Sequence, residues 1–194
     1  MNPKLCFASN NTHKLREVRN ILDPLFQIVS LYDIGCQEEL PETTGTIPGN
    51  SLQKAEYIHQ KFNVDCFADD SGLEVFALNN APGVDSATYA GPQRSHEDNI
   101  QLLLRNLEAI DQREAQFITV ITLIHRERRS QFEGVLRGKI IREKRGSGGF
   151  GYDPVFVPEG FGITLAEMTL PEKNKISHRA QALGKLADFL KSRS

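Results

Sequence analysis

Four short polar segments carry the side chains that could do chemistry in this sequence. The most acidic is Asp69-Asp70-Ser71-Gly72, which directly follows an apolar stretch. Adjacent carboxylates repel and lose solvation unless a cation or a hydrogen-bonding loop neutralises them, and oxygen ligands suit Mg²⁺. One carboxylate could hold the ion while the other deprotonates a water, as phosphoanhydride hydrolysis needs. Such residues are equally typical of a solvated turn, and the segment alone does not separate the two interpretations.

A second segment lies between a predicted strand and a predicted helix. Its residues are Ser9, Asn10, Asn11, Thr12, His13 and Lys14. Free N–H groups and the positive end of the helix dipole would favour a phosphate there, and Lys14 adds a mobile charge. The alternative is an ordinary capped helix with an exposed lysine, since no general nucleotide-binding fingerprint is present.

The third segment is Gly146–Pro154, in which glycines surround Phe150 and Tyr152. Such a backbone can approach a planar ligand closely, and either aromatic ring could stack on a base. A flexible connection whose rings fold back on the core is the competing interpretation. The fourth segment combines Lys173 with Ser177–Arg179, which places cations, an imidazole and a hydroxyl near a helix start. On this segment alone, an ordinary capped surface helix is the favoured interpretation.

The bulk properties limit the class of protein. The chain has 194 residues, 39% hydrophobic and 25% charged, as expected for one compact domain over 1–194. Its net charge is −2 and its basic residues are scattered along the sequence, so we expect a small nucleotide rather than a nucleic-acid polymer as partner. The sequence lacks a signal peptide and any run of ~20 apolar residues, which predicts a cytoplasmic protein without membrane contact. The cysteines Cys6, Cys36 and Cys66 are widely spaced and predict reduced thiols.

The polar segments are separated by alternating strand and helix patterns. The strand-like stretches are Lys4–Ser9, Phe26–Leu31, Cys66–Ala68, Leu73–Leu78, Phe117–His125 and Gln131–Ile141. Helices are predicted after capping residues at Asn10–Thr12, Asn50, Ser95 and Ser177. The last two strands form a predicted hairpin around the charged turn Arg126–Arg129, and residues 35–50, 79–94 and 146–160 are predicted loops. This mixture predicts an α/β fold with a mixed β-sheet flanked by helices.

Taken together, these segments resemble the signature of the inosine triphosphate pyrophosphatase family. The matching motifs, in order, are Phe67–Leu73, Ala81–Ala87, Gly148–Pro154 and Ser177–Arg179. The resemblance covers nearly the whole chain. It implies a Mg²⁺-dependent hydrolase that converts ITP, dITP and XTP to the monophosphate and pyrophosphate. It also implies a homodimer with an elongated sheet and two lobes around a central nucleotide cleft.

The same resemblance implies roles for individual residues. Asp70 would be the proton acceptor that activates water, Ser71 would contact the substrate, and Ser9–Lys14 would bind phosphates. The residues implied around the base and sugar are Phe150, Gly151, Tyr152, Asp153, Lys173, His178 and Arg179. A pocket rich in donors, including Arg179, would reject adenine because its amino group leaves those donors unpaired.

The predicted metal site departs from the family pattern at one position. Many relatives carry Glu immediately before the Asn that opens the second helix, but this chain has Gly49 before Asn50. The implied metal ligand is Asp70, with Asp69 or Glu42 as the supporting carboxylate, directly or through water. A phosphohydrolase that releases single phosphates and a nucleotide-binding protein without catalysis are the alternative functions.

Overall fold

The structure, a computed structural model, describes residues 4–23 and 26–192, so the first residues of the segment on which the signal-peptide prediction rests lie outside the described residues. In the described ranges the strands are β1 Lys4–Phe7, β2 Gln27–Val29, β3 Cys66–Val75, β4 Pro82–Gly83, β5 Glu114–His125, β6 Arg128–Ile140 and β7 Phe156–Pro158. The helices are α1 Thr12–Leu22, α2 Ile47–Phe62, α3 His96–Asn106, α4 Leu170–Ile176 and α5 His178–Lys191. Each of these helices is too short or too polar to cross a bilayer.

The strands form one mixed sheet. Its order is β2-β1-β3-β5-β6-β7, and β4 pairs with β3. Strand β1 is parallel to both β2 and β3, with Cys6 opposite Cys66 and Phe7 opposite Phe67. The pairs β3–β4 and β6–β7 are antiparallel. The predicted α/β class with a mixed sheet and helices is therefore confirmed.

The chain divides into two compact units. Unit 1 comprises Met1–Asp70, Thr119–Gly134 and Arg179–Ser194, and unit 2 comprises Ser71–Ile118 and Val135–His178. Within unit 1, one core cluster joins β1, α1 and α5, and a second joins β1, β3 and α2. Within unit 2, the core gathers apolar side chains from β3, α3, β5, β6 and β7. Strands β3, β5 and β6 each contribute residues to both units.

Several predicted helix caps are confirmed, and one is wrong. Asn11 and Ser95 cap α1 and α3 through their side chains, and Ser177 directly precedes α5. Helix α2, however, begins at Ile47, where the Thr46 hydroxyl accepts a hydrogen bond from the Gly49 N–H. Asn50 was predicted to cap this helix but is buried in it. Pro48 is compatible with the earlier start because proline is tolerated in the first turn of a helix.

The acidic segment is not a turn. Asp69-Asp70-Ser71-Gly72 lies inside the ten-residue strand β3, which runs on to Val75. Pairing with neighbouring strands overrides the local turn preference of Asp, Ser and Gly. The turn interpretation is therefore wrong, and the two carboxylates belong to the regular part of the sheet.

Other boundaries also differ from the sequence patterns. The hairpin turn contains only Arg126 and Glu127, both with positive φ, as a two-residue turn of type I′ requires. The predicted loops over 79–94 and 146–160 contain the short strands β4 and β7. Helix α4 was not predicted, although Thr169 and Glu172 form a capping box at its start.

Buried apolar contacts pack helix α2 against strand β3. Removing one of these contacts tests the fold. Ile58 on α2 is fully buried in the cluster that contains Cys66 and Ala68 of β3. We expect Ile58→Ala to lower the free energy of unfolding by about 2–5 kcal/mol, because it removes buried methylene groups and leaves a cavity. Urea denaturation measures the loss. Tyr32→Ala, at a side chain that is 81% exposed, should change it by less than about 0.5 kcal/mol.

Candidate active site

The alternation of strand β3 places Asp69 and Asp70 on opposite faces of the sheet. Successive side chains of a strand point to opposite faces. Phe67 packs in the cluster with α1 and α5, and Ala68 packs in the cluster with α2. Asp69 accordingly bonds to side chains from α1 and α5, and Asp70 bonds to a side chain from α2. Both carboxylates are buried.

Asp69 bonds to two cations, the partly buried Lys14 and the buried Arg179. Its Oδ2 is 3.0 Å from Lys14 Nζ and 3.1 Å from Arg179 Nε. Arg179 also donates to the buried carboxylate of Glu17 on α1. Burial alone would raise the pKa of Asp69, but Lys14, Arg179 and Lys54 outweigh it and hold that pKa well below its usual range. Asp69 therefore stays ionised and serves as the counter-charge of this cluster.

Asp70 has a different environment. Its Oδ1 accepts a hydrogen bond from Lys54 Nζ at 3.2 Å, and Lys54 also donates to Glu42 Oε1 at 2.5 Å. Burial raises the pKa of Asp70, and Lys54 and Lys14 offset only part of that effect. A carboxylate with a raised pKa is a stronger base than one in water, which is a useful property in a proton acceptor.

The second oxygen of Asp70 is the most informative atom of the cluster. Asp70 Oδ2 is buried and has no hydrogen-bond partner among the residues that the structure describes. An unsatisfied buried carboxylate oxygen is costly, and a water molecule or a cation is the partner that would satisfy it. Its geometry fits both parts of the role predicted for Asp70, the base and the metal ligand.

The carboxylates do not form a complete metal site alone. Across 4–23 and 26–192, no three His, Cys, Asp or Glu side chains are grouped so that they could hold a metal ion. Mg²⁺ commonly uses one or two carboxylates and completes its shell with water and substrate phosphates. Asp70 and Glu42, which share Lys54, fit this mode of binding. Asp69 bonds to Lys14 and Arg179 instead.

The start of α1 differs in one respect from the expected phosphate site. Asn11 Oδ1 accepts hydrogen bonds from the backbone N–H groups of His13 and Lys14, at 3.0 and 3.1 Å. Ser9 Oγ accepts from the Asn11 N–H. The sequence had suggested that these N–H groups are free to bind phosphate. In the structure, those of His13 and Lys14 donate to Asn11 instead. The side chains of Asn10, Thr12 and His13 belong to residues that are exposed to solvent.

In unit 2, Phe150 and Lys173 form a second polar and aromatic cluster. Lys173 Nζ lies 4.7 Å from the centre of the Phe150 ring and 2.8 Å from Asp153 Oδ2. The same Asp153 oxygen accepts a hydrogen bond from the Phe150 N–H at 2.9 Å. A Cβ at Gly149, where φ is +69°, would overlap this oxygen. Gly149 thus makes room for the Asp153 carboxylate.

The two aromatic residues of this loop have different roles. Tyr152 is buried in the unit 2 core, and its hydroxyl donates to the carbonyl oxygen of Ser86. Phe150 is only partly buried. Of the two rings that the sequence offered for stacking, Phe150 is therefore the more accessible.

The remaining predicted residues have the following positions. Ser71 and Gly151 are partly buried, and the Gly151 N–H donates to His96 Nδ1 at 3.3 Å. His178 stacks on Phe117 in unit 2, with ring centres 4.8 Å apart. Arg179, the next residue, belongs to unit 1 and bonds to Asp69 and Glu17.

Sequence reasoning missed two charged residues of the unit 1 cluster, Lys54 and Glu17. Lys54 lies one turn before the buried Ile58, on the inward stripe of α2. Glu17 is next to the buried Val18 of α1. A charged residue within an apolar helical stripe is the signal that could have revealed both, because such residues are rarely buried unless they are paired.

Comparisons with known proteins show similarity over nearly the whole chain. The Ham1 family profile matches residues 5–189. A dITP/XTP pyrophosphatase of Porphyromonas gingivalis is 53% identical over 96% of this chain and 97% of its own length. The Ham1 protein of Staphylococcus aureus superposes with a TM-score of 0.90 at 36% identity, over 98% of this chain and 100% of that one. A dITP/XTP pyrophosphatase structure from Mycobacterium abscessus gives a TM-score of 0.78 at 41% identity, over 94% and 98% of the two chains.

The ion pairs of Arg179 provide a test of the charge cluster. Arg179→Met removes a buried cation and leaves the carboxylates of Asp69 and Glu17 without that compensation. We expect the free energy of unfolding at neutral pH to fall by about 3–5 kcal/mol, as when one partner of a buried ion pair is removed. Urea denaturation measures it. Lys191→Met, which breaks an exposed pair with Asp188, should cost less than about 1 kcal/mol.

The pH dependence of this loss identifies its cause. The folded-state pKa of Asp69 lies below its unfolded value, so its ionised form stabilises the fold above about pH 4. That contribution is lost as the pH falls towards the folded pKa. The stability difference between wild type and Arg179→Met should be largest near neutral pH and shrink below about pH 4. A difference that grows on acidification would contradict the electrostatic explanation.

Proposed function

This chain belongs to the Ham1 family, and we propose that it hydrolyses the nonstandard purine nucleoside triphosphates ITP, dITP and XTP to the monophosphate and pyrophosphate. The family match confirms the resemblance that the sequence motifs had indicated. The observation that carries the proposal is Asp70, a buried carboxylate with a raised pKa and one oxygen, Oδ2, that has no described protein partner. The near-full-length similarity to proteins named dITP/XTP pyrophosphatase supports the substrate class.

In the proposed reaction, Asp70 Oδ2 orients a water molecule and accepts its proton. The water oxygen bonds to phosphorus as the bond between the α- and β-phosphates breaks, and pyrophosphate leaves. Lys54 bonds to Asp70 Oδ1 and favours the ionised form of the carboxylate without occupying Oδ2. Lys14 and the polar side chains from Ser9 to His13 contact the phosphates.

Mg²⁺ is the cofactor of this proposal. Asp70 and Glu42 would hold it, and when bound it would neutralise phosphate charge and polarise the bond to be broken. Asp69 contributes in this proposal through its charge, which balances Lys14 and Arg179.

We assign recognition of the base to the unit 2 cluster. Phe150 offers a ring face for stacking, and Lys173 presents a cation beside that ring. Asp153 fixes both through its Oδ2. Ser71, Gly151, Tyr152, His178 and Arg179 remain predicted substrate-binding residues, with Tyr152 acting from within the core.

Three further parts of the proposal rest on family membership. The family match runs through both units, which supports one functional domain over 1–194. We also propose that the protein works as a homodimer and that it acts in the cytoplasm on the nucleotide pool.

The role of Asp70 can be tested directly. Asp70→Asn removes the proton acceptor but keeps the size of the side chain. We expect turnover of dITP and XTP to fall by at least about 100-fold, the usual contribution of general base catalysis, with unchanged cooperative unfolding. Nucleotide and pyrophosphate release are measured by chromatography at saturating Mg²⁺. Asp111→Asn, at an exposed side chain, is the matched control and should behave as wild type.

Product analysis separates the alternatives. Monophosphate and pyrophosphate should appear together, and ATP and GTP should be poor substrates. Inorganic phosphate appearing before any pyrophosphate would indicate a phosphohydrolase that removes single phosphates. Tight nucleotide binding without any product would indicate a binding protein.

The stacking role of Phe150 gives an independent prediction. Phe150→Leu keeps an apolar side chain but removes the ring face. We expect kcat/KM for XTP to fall roughly 5- to 150-fold, which corresponds to about 1–3 kcal/mol of base stacking. Steady-state kinetics measures it, and Phe161→Leu, at an exposed ring, should have no effect. Equal kinetics for wild type and Phe150→Leu would place the base elsewhere.

A further inference from the structure

The segment that carries Glu42 is fastened to the first turns of α2 by four side chains. Gln53 accepts from the Thr43 N–H and donates to the Thr43 hydroxyl, both at 2.9 Å. Asn50 Oδ1 accepts from the Thr44 N–H at 3.1 Å and from the Thr44 hydroxyl at 2.9 Å. We name Thr43, Thr44, Asn50 and Gln53 the threonine clasp. It ties the segment that precedes α2 to the helix, and the Thr44 hydroxyl also lies 3.2 Å from the carbonyl oxygen of Thr46, which caps α2.

The clasp determines where Glu42 can lie. Glu42 directly precedes Thr43, and its carboxylate accepts from Lys54, one residue beyond Gln53. The Glu42 side chain is 39% exposed, whereas that of Lys54 is 7% exposed. Solvent therefore screens this ion pair only in part. The hydrogen bonds of the clasp add to it by constraining the backbone that directly follows Glu42.

Gly49 is the residue that leaves space for this arrangement. A Cβ at position 49 would lie 2.8 Å from the Thr44 Cβ and 2.6 Å from Thr46 Oγ1, and nearer still to Thr44 Oγ1. Nonbonded carbon atoms do not approach other heavy atoms this closely, so a side chain at position 49 would displace the side chains of Thr44 and Thr46. Gly49 is helical and does not have a positive φ. Glycine is therefore required at position 49 by the packing of Thr44, and not by the backbone conformation.

We propose that Gly49 and Asn50 are positioning residues for Glu42: Gly49 gives the Thr44 side chain its space, and Asn50 bonds it there. Glu42 is thereby held beside Lys54, and Lys54 is shared between Glu42 and Asp70. The glycine that departs from the family pattern is thus part of how this chain places its supporting carboxylate. The catalytic consequence rests on the proposed function, but the structural one does not.

The structural consequence is tested by hydrogen exchange at a single amide. In Gly49→Ala and Asn50→Ala, NMR should show the Thr44 N–H exchanging roughly tenfold faster than in wild type, because its acceptor is displaced or removed. Gly184→Ala is the matched control, since Gly184 is also helical and a Cβ there meets nothing within 4 Å. It should leave the Thr44 exchange rate unchanged. Asn50→Asp keeps the Oδ1 acceptor and should retain the protection.

The position of Glu42 is read from crystal structures of the same variants. In Gly49→Ala and Asn50→Ala, the Glu42 carboxylate should lie more than about 4 Å from Lys54 Nζ. In Asn50→Asp, it should keep its wild-type position. If Gly49→Ala does not fold, Gln53→Ala, at a partly buried position, releases Thr43 and serves in its place. Unchanged Thr44 exchange together with an unmoved Glu42 would overturn the proposal.

The catalytic consequence is measured with dITP at saturating Mg²⁺. We expect kcat to fall roughly tenfold in Gly49→Ala and Asn50→Ala, with KM changed less, and Asn50→Asp to recover most of the loss. Loss of protection with normal kcat would show that the position of Glu42 does not matter for turnover and would overturn the catalytic part. If wild type itself releases no pyrophosphate, the proposed function fails, whereas the exchange and crystal results still decide whether the clasp holds Glu42.

Discussion

Burial of two consecutive carboxylates in strand β3 is the constraint on which the rest of unit 1 depends. An ionised carboxylate taken out of water is tolerated only with paired cations and hydrogen bonds. Because Asp69 and Asp70 face opposite sides of the sheet, one cation could not serve both equally. The chain supplies Lys14 and Arg179 on one side and Lys54 on the other. These ion pairs fix the positions of helices α1, α2 and α5 against β3.

Local sequence then places each helix so that its cation can reach the strand. Asn11 caps α1 three residues before Lys14, and Thr46 caps α2 two turns before Lys54. Both helices bury an apolar stripe against β1 and β3, and the charged residue lies within or beside that stripe. Apolar burial provides the stability of this packing, and the ion pairs fix which residues must meet. The parallel pairing of β1 with β3 brings the start of α1 to the same strand end as the carboxylates.

The sequence predicted those features that depend on local pattern. Helices α1 and α3 were located from their apolar spacing and from the caps at Asn11 and Ser95. The acidic segment was identified as chemically important, but its conformation was not, because Asp-Ser-Gly favours a turn until neighbouring strands pair with it. Lys54 and Glu17 were missed for a related reason. Their partners lie 16 and 162 residues away, and no spacing along the chain reveals such pairs.

The different roles of Asp69 and Asp70 follow from strand parity. Both are aspartates on one buried strand, yet Asp69 has a lowered pKa and Asp70 a raised one. On the face towards α1 and α5, two cations bond to Asp69 and stabilise its charge. On the face towards α2, one lysine is shared with Glu42, so Asp70 keeps a buried oxygen available for water or metal. A one-residue shift in the register of β3 would exchange the two environments, since every side chain would change face. The register of a central strand, set by apolar packing at Phe67 and Ala68, therefore decides which carboxylate is suited to act as the base.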